Sequence, residues 1–224
     1  WVGCPGLEVL PEERESLAEA LSHISVMPVF LDRSLVESFY LGFCRSFLWP
    51  IMHNTITAGA YSSSSWRAYC TVNRLFADKV IEVYDVNDIV WVHDYHLLLL
   101  PTYTLRHLHN ACVGLFLHTP FPSSEIFRTI PVRDELLRGM LNAEIVGFHL
   151  FEYARHFLTC CKRMIGLDLE SQLDLSGIIG VRDQKRLVRV IVSHAGIEPS
   201  VLASFDEGAE NQHSNVCEGP ISPR

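Results

Sequence analysis

Three short apolar runs, each followed at once by polar residues, limit what this chain can fold into. Asp88-Ile89-Val90-Trp91-Val92 leads into His93-Asp94-Tyr95-His96, Cys112 to Leu117 ends at His118, and Glu144 to Phe148 forms a third run. Helical stretches follow them: one to about His109, one over about 132–142, and one over 151–165 with Ala154, Phe157, Leu158, Cys161 and Ile165 on one face. Val188 to Val192 adds a last run. A strand with one wet face alternates apolar and polar residues, whereas a solid run belongs to a strand covered on both faces. The repeats therefore predict an α/β fold, an open parallel sheet with helices on both sides. Ligands of such sheets bind beyond the carboxyl ends of the strands. The sharpest polar clusters, His93–His96 and His118, fall there.

The remaining segments give a coarser picture. Residues 1–10 read as a Gly/Pro turn region and 26–31 as a short strand, with Asp32 placed as a helix N-cap. Leu35, Val36, Phe39, Tyr40, Phe43 and Phe47 then follow helical spacing, and Pro50 is expected to end that helix at Trp49. Residues 55–65, with four consecutive serines, read as a flexible loop before a helix over about 66–84. Pro120, Pro122 and Glu125 suit the opening of another helix. Few large apolar residues follow Phe205, so the expected division is a domain over 1–200 and a disordered or non-homologous tail over 201–224.

Composition removes several function classes. With 224 residues, 48% of them hydrophobic and 20% charged, the chain suits one or two globular domains. A formal net charge of −8 disfavours nucleic acid or an anionic membrane as partner, because both attract clustered Lys and Arg. No apolar run approaches the roughly 20 residues that span a bilayer. The seven cysteines include no Cys-x-x-Cys pair, which reads as free thiols in a reducing compartment and gives no zinc spacing. No signal peptide is visible. The expectation is a soluble, cytoplasmic protein.

Asp94 follows a strand tip, where a carboxylate can hold sugar hydroxyls in one orientation; a structural role and a metal site are the competing readings. His118, followed by Thr119-Pro120-Phe121-Pro122, can donate a hydrogen bond to a sugar hydroxyl or a phosphate, or be a satisfied histidine in a tight turn. Tyr40 and Trp49 sit on one helix, and aromatic rings of this kind stack on sugar faces but more often fill cores. Arg128, Arg133 and Arg138 suit phosphate recognition by their planar forks, although surface ion pairs with Glu125, Asp134 or Glu135 are the favoured reading.

Taken in order, several stretches resemble the trehalose-6-phosphate synthase family. They are Trp1-Val-Gly-Cys-Pro-Gly6, Leu48-Trp49-Pro50 with His53, Trp91-Val-His-Asp-Tyr-His-Leu97 and Phe116-Leu-His-Thr-Pro-Phe-Pro-Ser-Ser-Glu125, with further similarity at Glu135–Arg138, Val146–His149 and Tyr153–Phe157. The resemblance covers about residues 1–200 and implies the N-terminal, acceptor-side part of a glycosyltransferase with two Rossmann-like domains (the GT-B arrangement). It implies transfer of glucose from UDP-glucose to glucose-6-phosphate, with retention at the anomeric carbon, giving trehalose-6-phosphate. It implies no metal and no cofactor beyond the UDP-glucose donor. Tyr40 and Trp49 match residues that frame the acceptor, Asp94 an acceptor-sugar ligand, His118 a residue beside the donor glucose and Thr119 a position near the reacting centre; Asp94 and His118 are the catalytic candidates. Association with other trehalose-pathway proteins is a further expectation.

Departures accompany the matches. Leu41 stands where the family usually has Asn, Cys4 where Trp is common, and Val190–Glu198 resembles the family's corresponding stretch only loosely. The family's glycine loop and phosphate-binding arginine are expected before Trp1, and its second domain after residue 200. The expectation is therefore that residues 1–224 alone show no transfer. The alternative function is a non-catalytic, regulatory or scaffolding relative, and a stand-alone α/β binding module is disfavoured because the core pattern stops abruptly after residue 200.

Overall fold

Two β-layers of unequal size organise the chain. The structure is a computed structural model that describes residues 1–55, 61–170, 179–183, 186–194 and 196. The smaller layer pairs β1 (Val2–Gly3) with β2 (Met27–Pro28) in parallel, on either side of α1 (Arg14–Ser22). The opening residues, expected as a turn region, thus include a strand, and the strand expected over 26–31 shortens to two residues. Asp32 does precede a helix, α2 (Arg33–Val36), but its carboxylate pairs with Arg14 at 3.1 Å instead of capping.

That helix does not stop where Pro50 was expected to stop it. After α2 the backbone widens into a π-helix over Glu37–Leu48 and returns to α-geometry in α3 (Trp49–Met52), with Trp49 at φ −54°, ψ −50°. Pro50 lies in the first turn of α3, where a missing N–H costs least. The buried residues Phe39, Phe43, Leu48 and Met52 recur with the longer period of i→i+5 bonding. The serine run is helical too. Ser62 caps α4 (Ser63–Val83) by accepting from the Ser65 amide, so serines read as a flexible loop are a helix start. Residues 56–60 of that expected loop lie outside the described set.

The larger layer carries the repeats read from the apolar runs. It comprises β3 (Ile89–His93), β4 (Cys112–Leu117), β5 (Ile145–Phe148), β6 (Asp168–Glu170), β7 (Ile179–Asp183) and β8 (Arg186–Val192), in the order β3-β4-β5-β8-β7-β6. The β3, β4, β5 and β8 ladders are parallel, and β7 and β6 add antiparallel strands that the sequence reading did not anticipate. The connections carry α5 (Leu100–His107), α6 (Ser124–Phe127), α7 (Arg133–Leu141) and α8 (Phe151–Cys160), the last running on as a π-turn over Cys161–Ile165. Parallel strands need such crossovers. One continuous core includes Val113, Leu115 and Leu117 of β4, Val146 and Phe148 of β5, and Phe157 of α8. Residues Trp1–Ser193 form one compact unit. The tail expected over 201–224 lies outside the described residues.

β3 is an edge strand, and Ile89 and Trp91 on it are exposed. Beside it a cavity of about 460 Å³ is lined by Trp1, Phe76, Val80, Ile89, Trp91 and neighbouring side chains. That cavity is apolar in character and is not lined by Tyr40, Trp49, Asp94, His118 or Thr119.

Candidate functional site

The carboxyl edge of the parallel strands gathers the residues singled out above. Asp94 leaves β3 at φ +64°, ψ −179°, a region that side chains rarely adopt, and its amide still donates to Phe116 O at 2.8 Å. Such a conformation costs of order 1–3 kcal/mol and is kept when surrounding bonds over-determine it. Those bonds are present. Asp94 Oδ1 accepts from the amides of His118 and Thr119, each at 3.2 Å, so the carboxylate ties the β3 tip to the β4 tip. Its other oxygen, Oδ2, has no hydrogen-bond partner among the described residues.

Tyr40 and Trp49 meet the same segment from the long helix. The Tyr40 ring stacks on His96 with centroids 5.7 Å apart, and Trp49 lies 5.6 Å from Tyr95 and 3.9 Å from His53. Both rings keep about two-fifths of their surface exposed. Nine residues separate them, which is two and a half turns of an α-helix and would put them on opposite sides. In the wider π-helix nine residues make about two turns, and the rings share a side.

Thr119 joins the site through its backbone amide. Its side chain is buried, and Oγ1 has no hydrogen-bond partner among the described residues. His118 stands at the rim with its ring between His93 and His149. Arg133 pairs with Asp134 at 3.6 Å, as its surface reading expected, whereas Glu125 takes Arg163, and among the described residues Arg128 and Arg138 form no ion pair. Among the described residues no group of three or more His, Cys, Asp or Glu is placed to hold a metal ion, and the six described cysteines are free thiols.

Two residues with no role in the sequence reading fix the Asp94 segment from below. Tyr69, fully buried on α4, donates its hydroxyl to Tyr95 O at 2.8 Å and accepts from the Leu98 amide at 3.0 Å. Asn73, one turn on, donates to His96 O at 3.2 Å and accepts from the Leu99 amide at 3.1 Å. Polar residues at i and i+4 in an otherwise apolar helix face were the available signal. Tyr69→Phe leaves a buried amide and a carbonyl unpaired and is expected to cost about 1–3 kcal/mol. Chemical denaturation of the two proteins measures it; equal midpoints would show that the hydroxyl holds nothing.

Burial lowers the His96 pKa against the raising effect of Asp94, and burial likewise lowers that of His118, where Asp94 raises it and His93 and His149 lower it further. Below the ordinary histidine value of about 6.5 the unfolded chain takes up protons that the fold refuses. The stability from these neutral rings is present above that value and is lost as pH falls toward the folded values. The melting temperature is expected to drop on acidification through this range, and less so in His96→Gln.

A Rossmann-like sheet whose carboxyl edge carries these groups defines half of a GT-B type glycosyltransferase. The comparisons give the family. The sequence pattern of glycosyltransferase family 20 matches residues 1–214, and the chain belongs to that family. It is 46% identical over 212 residues to the Arabidopsis thaliana protein named "Probable alpha,alpha-trehalose-phosphate synthase (UDP-forming) 11", covering 92% of this chain and 24% of that protein. The N-terminal domain of Candida albicans trehalose-6-phosphate phosphatase superposes with a TM-score of 0.76 at 31% identity, covering 90% of this chain and 43% of that one. A Burkholderia xenovorans trehalose-phosphate synthase in complex with glucose-6-phosphate shares the fold at a TM-score of 0.76 and 24% identity, over 83% of this chain and 41% of that one. The chain thus spans about a quarter of the length of the plant relative.

Proposed function

We propose that this chain is the acceptor-side part of a retaining glycosyltransferase that moves glucose from UDP-glucose to glucose-6-phosphate, forming trehalose-6-phosphate. The observation that carries the reading is the pairing of Asp94, whose Oδ2 has no partner among the described residues, with two half-exposed rings, Tyr40 and Trp49, packed on the segment that follows it. A carboxylate oxygen accepts from sugar hydroxyls, and the rings supply apolar faces and exclude water. Family membership supports the reaction class, and relatives at 46% and 42% identity bear the name of the UDP-forming synthase.

In such a reaction the protein contributes position and charge stabilisation more than covalent chemistry. Holding the acceptor hydroxyl against the anomeric carbon turns a bimolecular step into a unimolecular one. In a front-face transfer the departing phosphate takes the hydroxyl proton, so no carboxylate nucleophile is required. Asp94, tied to the β4 tip, has the role of orienting the acceptor sugar.

A second reading has one observation behind it. The same fold at 31% identity occurs in a protein named as a trehalose-6-phosphate phosphatase, so the domain also serves proteins named for another activity. Purified intact protein, given UDP-glucose and glucose-6-phosphate, decides between the two. Release of UDP that depends on the acceptor supports the transferase. Retained sugar-phosphate binding with no UDP release supports the regulatory alternative.

A further inference from the structure

Three histidines stand in a row across the carboxyl edge of the sheet. His93 closes β3, His118 follows β4 and His149 follows β5, three adjacent parallel strands. Their rings are joined end to end. His93 Nδ1 lies 3.0 Å from His118 Nε2, and His118 Nδ1 lies 3.2 Å from His149 Nε2. His149 Nδ1 lies 3.3 Å from the carbonyl oxygen of Ser193, whose own amide donates to Phe148 O at 2.9 Å.

That last partner fixes every proton before it. A carbonyl only accepts, so His149 carries its proton on Nδ1. A neutral imidazole has a single N–H. His149 Nε2 is therefore a lone pair, and His118 must give it an Nδ1–H. His118 Nε2 is a lone pair in turn and receives the Nδ1–H of His93.

We propose that His149, anchored on the Ser193 carbonyl, is a positioning residue that holds His118 in its Nδ1–H tautomer, so that His118 meets substrate through a bare Nε2. This rests on the reading of His118 as a sugar contact. The sequence alone suggests a histidine that donates to a hydroxyl or a phosphate; the chain of rings makes it an acceptor. A sugar hydroxyl can replace His93 at that lone pair by donating its own proton. A phosphate oxygen without a proton cannot. The arrangement thus selects hydroxyl over phosphate at this position. Protonation would reverse the preference, and the charged and titratable groups facing His118 are Asp94, which favours the proton, and His93 and His149, which oppose it. Trp91 packs against His93, and Phe116 packs against His118 and His149; neither adds charge.

Nitrogen-15 NMR of the full chain, labelled at histidine, reads the tautomers directly by separating protonated from bare ring nitrogens. Above neutral pH, His93, His118 and His149 are each expected to show a protonated Nδ1 and a bare Nε2. His149→Gln supplies a carbonyl acceptor and is expected to keep the His118 pattern. His149→Phe removes the acceptor and is expected to release His118 to the Nε2–H form, with its titration midpoint moving up. A protonated Nε2 on His118 in the unmodified chain overturns the proposal, as does an unchanged His118 pattern in His149→Phe. Neither measurement uses a sugar or turnover, so a failure here is distinct from a failure of the transferase reading.

Discussion

Gly139→Ala is expected to destabilise the chain by about 3 kcal/mol, near the upper end of the usual overpacking range. Helix propensity alone points the other way, since alanine in place of glycine in a helix interior gains about 1 kcal/mol. Packing decides the sign. A Cβ on Gly139 of α7 would stand 2.5 Å from the Leu98 carbonyl oxygen and 2.9 Å from Leu99 Cδ2. A side chain could turn away, but the first obstacle is backbone. That backbone is pinned, because the Leu98 amide is held by Tyr69 and the Leu99 amide by Asn73. Urea unfolding of the two proteins, with the slope unchanged, gives the difference directly. A gain in stability would show that α7 does not approach the 98–99 segment this closely.

Asp94→Ala is expected to lower transfer by the intact protein about a hundredfold or more, the scale of loss that misplacing a reacting group brings. It should also cost stability, because the His118 and Thr119 amides lose their acceptor. Asp94→Asn separates the two roles. Its amide oxygen can keep accepting from both backbone groups, so the melting temperature should stay near that of the unmodified protein. Its NH2 group would face the sugar where a carboxylate oxygen is needed, so kcat/KM for the acceptor should still fall steeply. Full transfer by Asp94→Asn would make the carboxylate a purely structural clamp. A melting temperature as low as that of the alanine variant would show that the clamp depends on charge.

The parts of this architecture that could be read from sequence are those set by burial. β4 and β5 declare themselves as solid apolar runs because both faces are covered, whereas β3 reads the same way although Ile89 and Trp91 on one of its faces are exposed; Asp94 and His118 follow because strand tips in parallel sheets face the ligand crevice. The misreadings share a cause: local composition does not report hydrogen-bond pattern. Phe39, Phe43 and Phe47 fit an α-helical stripe as well as a π-helical one, so Pro50 looked like a terminator. Ser62 to Ser65 are typical of a loop and equally typical of a helix start. Asp32 looked like a cap but is used by Arg14. His149 lay inside a recognised stretch without a role, because its significance needs the strand order, which puts β5 beside β4, together with the Ser193 carbonyl beyond β8. Tyr69 and Asn73 were hidden in the same way, since their partners are backbone groups more than 20 residues along the chain.

The widened helix between Val36 and Trp49 has a consequence for how this site can vary. The common side of Tyr40 and Trp49 is encoded in the number of residues between them and not in the identity of any one. Substitutions at 41–48 can change packing, charge or the fit of Leu41, yet they leave the count intact. Loss of a single residue from that interval would turn Trp49 by about 80° about the axis of the widened helix and take its ring off the Tyr95 segment. Length is thus the inherited property here, and divergence among relatives that keep both rings should run through substitution while sparing this interval from gaps.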